Sequence, residues 1–403
     1  MKKFDEFFLM TTEDAKRYAV EVLGRFRPDE QTDCVEIGDG NINYVFKIWS
    51  LEDGHSVIVK QADKLLRCAG RPLDQYRNKI EAQILKLEGE LAPGYVPEVY
   101  YYDEAMAAVS MEDISAYGNL RKELMAGHVY SHMAENFSTF MADTLLPTTD
   151  LVVAADEKKQ RVKFFTNPEL CEITERLVLT EPFCEAYRGE NTFQPENAAL
   201  VEEQLYQNAA LQVEVAKLRE RFMNNAQALI HGDLHSGSIF ANENGIKVID
   251  PEFAFYGPMG YDIGNLVGNL FFSWANKLVT MPEESDQLAA LEDTVRRTLD
   301  LTWEKMSAKY DQMVEYPFYK IPAFKESYLA GVMADTFGYA GTEMIRRTVG
   351  SSKVMELNTV TDPALRARME RILLNTGIRF VMERENLRTG EDAVSVFLAA
   401  VAD

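Results

Sequence analysis

Cysteine is scarce: the 403 residues hold four, Cys34, Cys68, Cys171 and Cys184, and none forms a CxxC pair. Neither a zinc ribbon nor a dithiol redox motif is therefore readable, and the spacing suits reduced thiols in the cytoplasm. Positive charge is scarce as well, with 42 Lys and Arg against 64 Asp and Glu, a net charge of −22. So acidic a chain disfavours nonspecific binding to nucleic acid or to an anionic membrane, and any anionic ligand needs a local cluster of cations or a metal. Long hydrophobic runs are missing too. The most apolar stretch, Ile263 to Asn276, lies between Asp262 and Lys277 and contains Asn, Gly and Ser. It is too short to span a bilayer and reads as a buried helix. At the start, acids follow Lys2 and Lys3 at once and only Phe7–Met10 is apolar. That is not the pattern of a signal peptide, and a cytoplasmic location is expected. There is no internal repeat and no low-complexity tract. With 46% apolar and 26% charged residues, the composition excludes a disordered chain, a collagen and a coiled-coil rod.

What is present divides in two. A helix is predicted over Thr11–Phe26, then strands over Cys34–Ile37, Tyr44–Trp49 and Ser56–Lys60, a helix over Leu73–Leu87, and strands over Val99–Tyr102 and Ala107–Met111. Beyond about Ile114 the pattern turns helical: 119–145, 168–177, 198–224, 264–278, 284–309, 323–347, 362–387 and 391–401. One β-hairpin interrupts it, Ser238–Ala241 and Ile246–Ile249 about the turn Asn242-Glu243-Asn244-Gly245. The expected class is α+β, a β-rich lobe over 1–113 and a larger, mostly helical lobe over 114–403. Trp49 and Trp274 are read as core residues.

The densest chemistry is His231-Gly232-Asp233-Leu234-His235-Ser236-Gly237-Ser238-Ile239-Phe240, followed by Val248-Ile249-Asp250-Pro251-Glu252. If 250–252 is extended, residues i and i+2 share a face, and Asp250 and Glu252 project together. Two hard oxygen ligands suit Mg²⁺, which keeps waters and takes its other ligands from nucleotide phosphates. Asp233 adds a third carboxylate able to act as a base toward a hydroxyl. Metal, base and in-line donor make a phosphoryl-transfer layout. In the N-terminal part, Glu36–Phe46 carries Gly38-Asp39-Gly40-Asn41-Ile42-Asn43 between two strands, and glycines let backbone amides approach phosphates.

His231-Gly232-Asp233 with Asp250-x-Glu252 resembles the small-molecule kinases of the protein-kinase-like fold, which include the aminoglycoside and choline kinases. Within them the chain is most similar to the 5-methylthioribose kinases, through His231–Phe240, Val248–Asn265 and Gly341-Thr342-Glu343-Met344-Ile345-Arg346-Arg347, and the likeness runs over nearly the full length. The resemblance implies a bilobal kinase-like fold, with nucleotide bound in 1–113 and catalysis and substrate in 114–403. It implies ATP-dependent phosphorylation of the 1-hydroxyl of 5-methylthioribose in methionine salvage, Mg²⁺ with ATP as co-substrate, and a homodimer. By the same resemblance Asp233 is the catalytic aspartate and also meets the sugar, and Asp250 and Glu252 hold the metal. Gly38, Gly40, Asn41 and Asn43 form the phosphate loop, with Asn43 where a third glycine usually stands. Lys60 contacts the α and β phosphates, partnered by Glu81 or else by Glu88. Glu112, Asp113 and Ile114 form the adenine hinge, Asp262 braces the catalytic loop, and Arg346 and Arg347 lie by substrate and transferred phosphate. One position departs from ordinary kinases: Ser238 stands where many place a metal-binding Asn. Adjacent helical residues diverge by about 100°, so the two arginines need not share a target. His235 reads equally as a substrate contact or as a satisfied loop histidine. The competing readings are a kinase for an aminoglycoside, choline or another amino-alcohol, and a noncatalytic nucleotide-binding scaffold.

Overall fold

The computed structural model describes residues 3–37, 43–65 and 72–403. Its contacts gather into two compact units, Met1–Tyr117 with Lys247–Ala254, and Gly118–Ile246 with Phe255–Asp403.

The first unit is built on a five-stranded antiparallel sheet in the order β1-β2-β3-β5-β4. Its strands are β1 Thr32–Glu36, β2 Tyr44–Ser50, β3 Ser56–Gln61, β4 Val99–Asp103 and β5 Ala108–Met111. The helix Thr12–Glu21 is capped by Thr11 and Asp14 in a reciprocal capping box. It seats Ala15, Tyr18 and Ala19 on Phe46, Ile48, Val57 and Val59. The helix Tyr76–Leu91 is tied to the sheet where Asn78 Nδ2 donates to the carbonyls of Lys60 (3.2 Å) and Ala107 (2.7 Å). The central strand β3 is therefore buried at every residue from Val57 to Gln61, Lys60 included.

The second unit is helical. Met259–Thr280 is buried along nearly its whole length and packs against Pro322–Val349. Closeness there requires glycine: a Cβ on Gly264 would stand 2.5 Å from the Thr336 carbonyl oxygen and 2.7 Å from the Ala340 nitrogen. Trp274 is buried and stacks on Phe397 at 4.3 Å. β6 Gly118–Asn119 pairs with β8 Ile239–Asn242; β8 is followed by β9 Gly245–Val248. A two-stranded ribbon joins β7 Ala228–Ile230 to β10 Phe255–Gly257. Among the described residues no helix is long and apolar enough to cross a membrane.

Several sequence expectations need correction. The helix expected over 119–145 is two, Leu120–Ala126 and Met133–Leu145, because Gly127 takes a left-handed φ of 92° and ends the first. The helix expected over 198–224 widens into a turn with i→i+5 hydrogen bonding at Glu202–Tyr206 and restarts at Ala209, capped by Asn208. The first helix stops at Glu21, short of Phe26. Ala155–Phe164 is a helix with no apolar stripe to betray it. Trp49 lies only half-buried on its strand. Residues 250–252 are not extended: Asp250 is left-handed, φ 63°, and caps a 3₁₀ turn over Pro251–Phe253.

Candidate active site

In the first unit a buried charge cluster forms around Lys60. Its Nζ donates to Glu81 Oε1 at 2.8 Å and to Asp250 Oδ1 at 2.5 Å. Glu252 is held on another side, accepting from Asn43 Nδ2 at 3.1 Å and standing 3.5 Å from Arg77 Nε. Arg77 Nη2 in turn donates to Asn43 Oδ1 at 2.9 Å. The left-handed turn at Asp250, rather than strand alternation, brings both carboxylates to this cluster. Two cations thus meet three acids, and among the described residues the buried Glu81 Oε2 atom has no hydrogen-bond partner. Burial and the neighbouring acids push Glu81 up to about 7 against the pull of Lys60. Burial likewise raises Glu252. For Lys60 burial acts downward, but Asp250, Glu81 and Glu252 together hold the ammonium above its ordinary value. The Asp250 side chain is 47% exposed, whereas Lys60 and Glu81 are almost closed off. An acid surplus with one accessible carboxylate, all oxygen donors, fits a hard divalent cation that keeps part of its water shell.

Of the phosphate-loop residues, Gly38, Gly40 and Asn41 lie outside the described residues. Asn43 is buried, its amide engaged by Glu252 and Arg77. Along the segment after β5, Glu112 N–H donates to the Glu98 carbonyl at 2.8 Å, and the Ile114 carbonyl accepts from Tyr117 at 2.9 Å. The Asp113 carboxylate accepts from Ser56 at 2.6 Å and pairs with Lys47 at 2.8 Å. Although burial opposes it, Lys47, Ser115 and Ser56 bring Asp113 down to about 2. Lys247 closes the region by donating to Glu112 Oε2 at 2.9 Å.

In the second unit the ribbon β7–β10 carries the loop 231–238 on one side and leads into the Met259–Thr280 helix on the other. Asp262, in the first turn of that helix, accepts from the backbone N–H of His231 (2.6 Å) and of Gly232 (3.0 Å). Burial pushes Asp262 up to about 6. Ser238 is buried and donates its hydroxyl to the Asp233 carbonyl at 3.1 Å, so it braces the loop from within. His235 Nδ1 accepts from the N–H groups of Gly237 and Ser238, both at 3.0 Å. That leaves the proton of the neutral ring on Nε2, 3.5 Å from Asp233 Oδ2.

Arg346 and Arg347 do share a target, although they are neighbours on one helix. Arg346 Nε donates to Glu343 Oε2 at 2.8 Å and Arg347 Nε to Glu343 Oε1 at 2.9 Å. One carboxylate three and four residues back reaches both, because i,i+3 and i,i+4 straddle the same face. Despite its burial, the two guanidinium groups hold Glu343 down to about 2.

Sequence reasoning assigned no role to Arg77, Glu343, Arg121 or Glu356. Arg77 and Glu343 had a signal, since each stands at helical spacing from a singled-out residue, Glu81 or the arginine pair. Arg121 and Glu356 had none.

Known proteins resemble this chain to different degrees. Residues 168–306 match the phosphotransferase enzyme family (APH). The chain is 36% identical to a methylthioribose kinase of Bacillus pumilus, over 94% of each chain. It is 39% identical to a methylthioribose kinase of Pectobacterium atrosepticum, over 92% of this chain and 93% of the relative. Among solved structures, a Plasmodium vivax ethanolamine kinase aligns at a TM-score of 0.46 and 11% identity, covering 100% of this chain and 91% of its own.

Proposed function

The chain belongs to the methylthioribose kinase family, and from that premise we propose that it transfers the γ-phosphoryl group of ATP to the 1-hydroxyl of 5-methylthioribose, a step of methionine salvage carried out in the cytoplasm. The observation that carries this reading is the near full-length identity to proteins of that name.

In this reading residues 1–113, with Asp250 and Glu252, serve the nucleotide, and 114–403 supplies catalysis and the sugar site. Lys60, fixed by Glu81, contacts the α and β phosphates, and Gly38, Gly40 and Asn41 offer backbone N–H groups to them. Asn43 holds Glu252 in place. At the hinge the Glu112 carbonyl and the Ile114 N–H are the groups offered to adenine, with the Asp113 carboxylate turned inward. Asp250 and Glu252 would hold Mg²⁺, which when bound offsets the charge of the phosphate oxygens. Asp233 orients the sugar hydroxyl and takes its proton, on a loop kept in shape by Asp262 and Ser238. Arg346 and Arg347 face the transferred phosphate; Glu343 engages the Nε of each, and the Nη edge of Arg346 has no partner among the described residues. Such a cationic wall suits a neutral sugar that becomes a phosphate and opposes a cationic amino-alcohol. We also propose the homodimer that the family resemblance implies.

The test is a panel of methylthioribose, ribose, choline and kanamycin under Mg·ATP, with the phosphorylated position read by NMR. Methylthioribose should give the highest kcat/KM. Ribose, lacking the methylthio tail, should fall behind by about 1–3 kcal/mol of transition-state binding. Asp233→Asn should lose about 10²–10⁴-fold in turnover at nearly native ATP affinity. Preference for choline or kanamycin would overturn the substrate assignment.

A further inference from the structure

Arg121 belongs to none of the motifs, yet it is held from four directions. Its backbone N–H donates to the Ser236 carbonyl at 3.1 Å, its Nε to Ser236 Oγ at 3.1 Å and its Nη2 to Asn269 Oδ1 at 2.7 Å. Glu356, with 0% of its side chain exposed, stands 3.5 Å from Nε and balances the charge. Asn119, the cap of the same helix, adds a bond from Nδ2 to the Gly237 carbonyl at 2.8 Å. These contacts fix the guanidinium against the loop that carries Asp233.

One edge stays open. Among the described residues Nη1 has no hydrogen-bond partner, and 15% of the side chain is exposed. Its position follows from Gly237: a Cβ there would stand 2.8 Å from His235 Cε1 and 3.7 Å from Arg121 Nη1. The open edge and the imidazole therefore flank the bare face of Gly237, and the imidazole reaches on to Asp233 Oδ2 at 3.5 Å. Charge points the same way. Three arginines, 121, 346 and 347, stand with three carboxyl groups, Glu343, Glu356 and Asp233. Once Asp233 has taken the hydroxyl proton the group carries one excess positive charge, at the stage when the sugar oxygen carries its phosphate.

We propose that Arg121 is a phosphate-binding residue, with Nη1 donating to an oxygen of the phosphoryl group after transfer to the sugar, so that it recognises the anionic product and not the neutral substrate. This rests on the kinase reading above. A guanidinium already immobilised loses little entropy in making that bond, and its planar edge suits a phosphate oxygen.

The experiment compares wild type, Arg121→Gln and Arg121→Lys. It measures product inhibition by methylthioribose 1-phosphate, KM for methylthioribose, KM for ATP and the melting temperature. Arg121→Gln should raise the product inhibition constant by about tenfold or more, as expected for loss of a charge-assisted bond. The two KM values should stay within about twofold. Arg121→Lys, which keeps charge but not the fork, should fall between. Equal weakening of product and sugar would show an arginine that only holds the loop and would overturn the proposal; so would unchanged product inhibition. If Arg121→Gln fails to fold, Arg121→Lys decides on the same readouts. A wild-type protein that leaves methylthioribose unphosphorylated overturns the kinase reading itself, and this proposal with it.

Discussion

The two units solve opposite electrostatic problems with inverted arrangements. In the first, one lysine serves two carboxylates, Glu81 and Asp250, with Glu252 close by. In the second, one glutamate serves two arginines, Arg346 and Arg347. A cation among acids leaves negative charge to be met by a metal. An acid among arginines leaves guanidinium edges to be met by an anion. The difference also sets which central group is indispensable. Lys60 loses one of two direct partners if Glu81 is neutralised, whereas neutralising Glu343 strips both arginines of their shared carboxylate at once.

Paired substitutions sharpen that contrast. Glu343→Gln removes the one carboxylate that both buried guanidinium groups bond, and the cost should be about 3–5 kcal/mol of folding stability. Glu81→Gln should cost less, on the order of 1–2 kcal/mol, because Asp250 still pairs with Lys60. Urea unfolding of both variants measures this directly; a Glu81→Gln loss equal to or larger than that of Glu343→Gln would break the comparison.

The acid surplus of the first unit makes a second claim. Asp250→Asn and Glu252→Gln each remove an anionic oxygen ligand, and each should raise the Mg²⁺ concentration for half-maximal activity by about tenfold. Glu343→Gln, on the other side of the comparison, should leave that midpoint where it is. A Mg²⁺ titration at fixed ATP reads all three. Unchanged midpoints for both Asp250→Asn and Glu252→Gln would reject the metal assignment.

Much of this was legible in the sequence where local pattern carries the information. The β2 and β3 runs, the strand-end lysine and the apolar approach to His231-Gly232-Asp233 follow from alternation and composition. Fold class followed from the change of character near 114. What stayed hidden depends on groups brought together from far along the chain. Asn43 and Glu252 are 209 residues apart, and Arg121 and Asn269 are 148 apart. No periodicity links such pairs. The Asp250–Glu252 step was misread because alternation assumes extended backbone, and a left-handed aspartate leaves no mark that alternation can detect. For the arginine pair a shared partner was left open. The 100° turn between neighbours was correct, but the side chains are long enough to converge on a carboxylate one turn earlier.

His235 gives the smallest and cleanest test of the second unit. Its Nδ1 lone pair already accepts two backbone N–H groups, so a second ring proton would have to displace them. Burial lowers the imidazole to about 4; Asp233 opposes that shift, while Arg121 and Arg347 reinforce it. In the unfolded chain the same ring titrates near 6.5. Below that pH the unfolded state binds a proton that the folded state refuses, so stability falls as pH drops from about 6.5 toward about 4. The slope is at most about 1.4 kcal/mol per pH unit, or about 1 kcal/mol by pH 5.5. His235→Asn keeps an acceptor oxygen for the two N–H groups and cannot titrate. Glu81, Asp262 and Asp335, raised by burial to about 7, 6 and 6, titrate nearby with the opposite sign, and they cancel when wild type and variant are subtracted. Between pH 7 and pH 5.5, urea unfolding should show wild type losing about 1 kcal/mol more than His235→Asn. Parallel curves would mean that His235 takes up its proton in the folded loop, and that the Nδ1 bonds do not hold the tautomer facing Asp233.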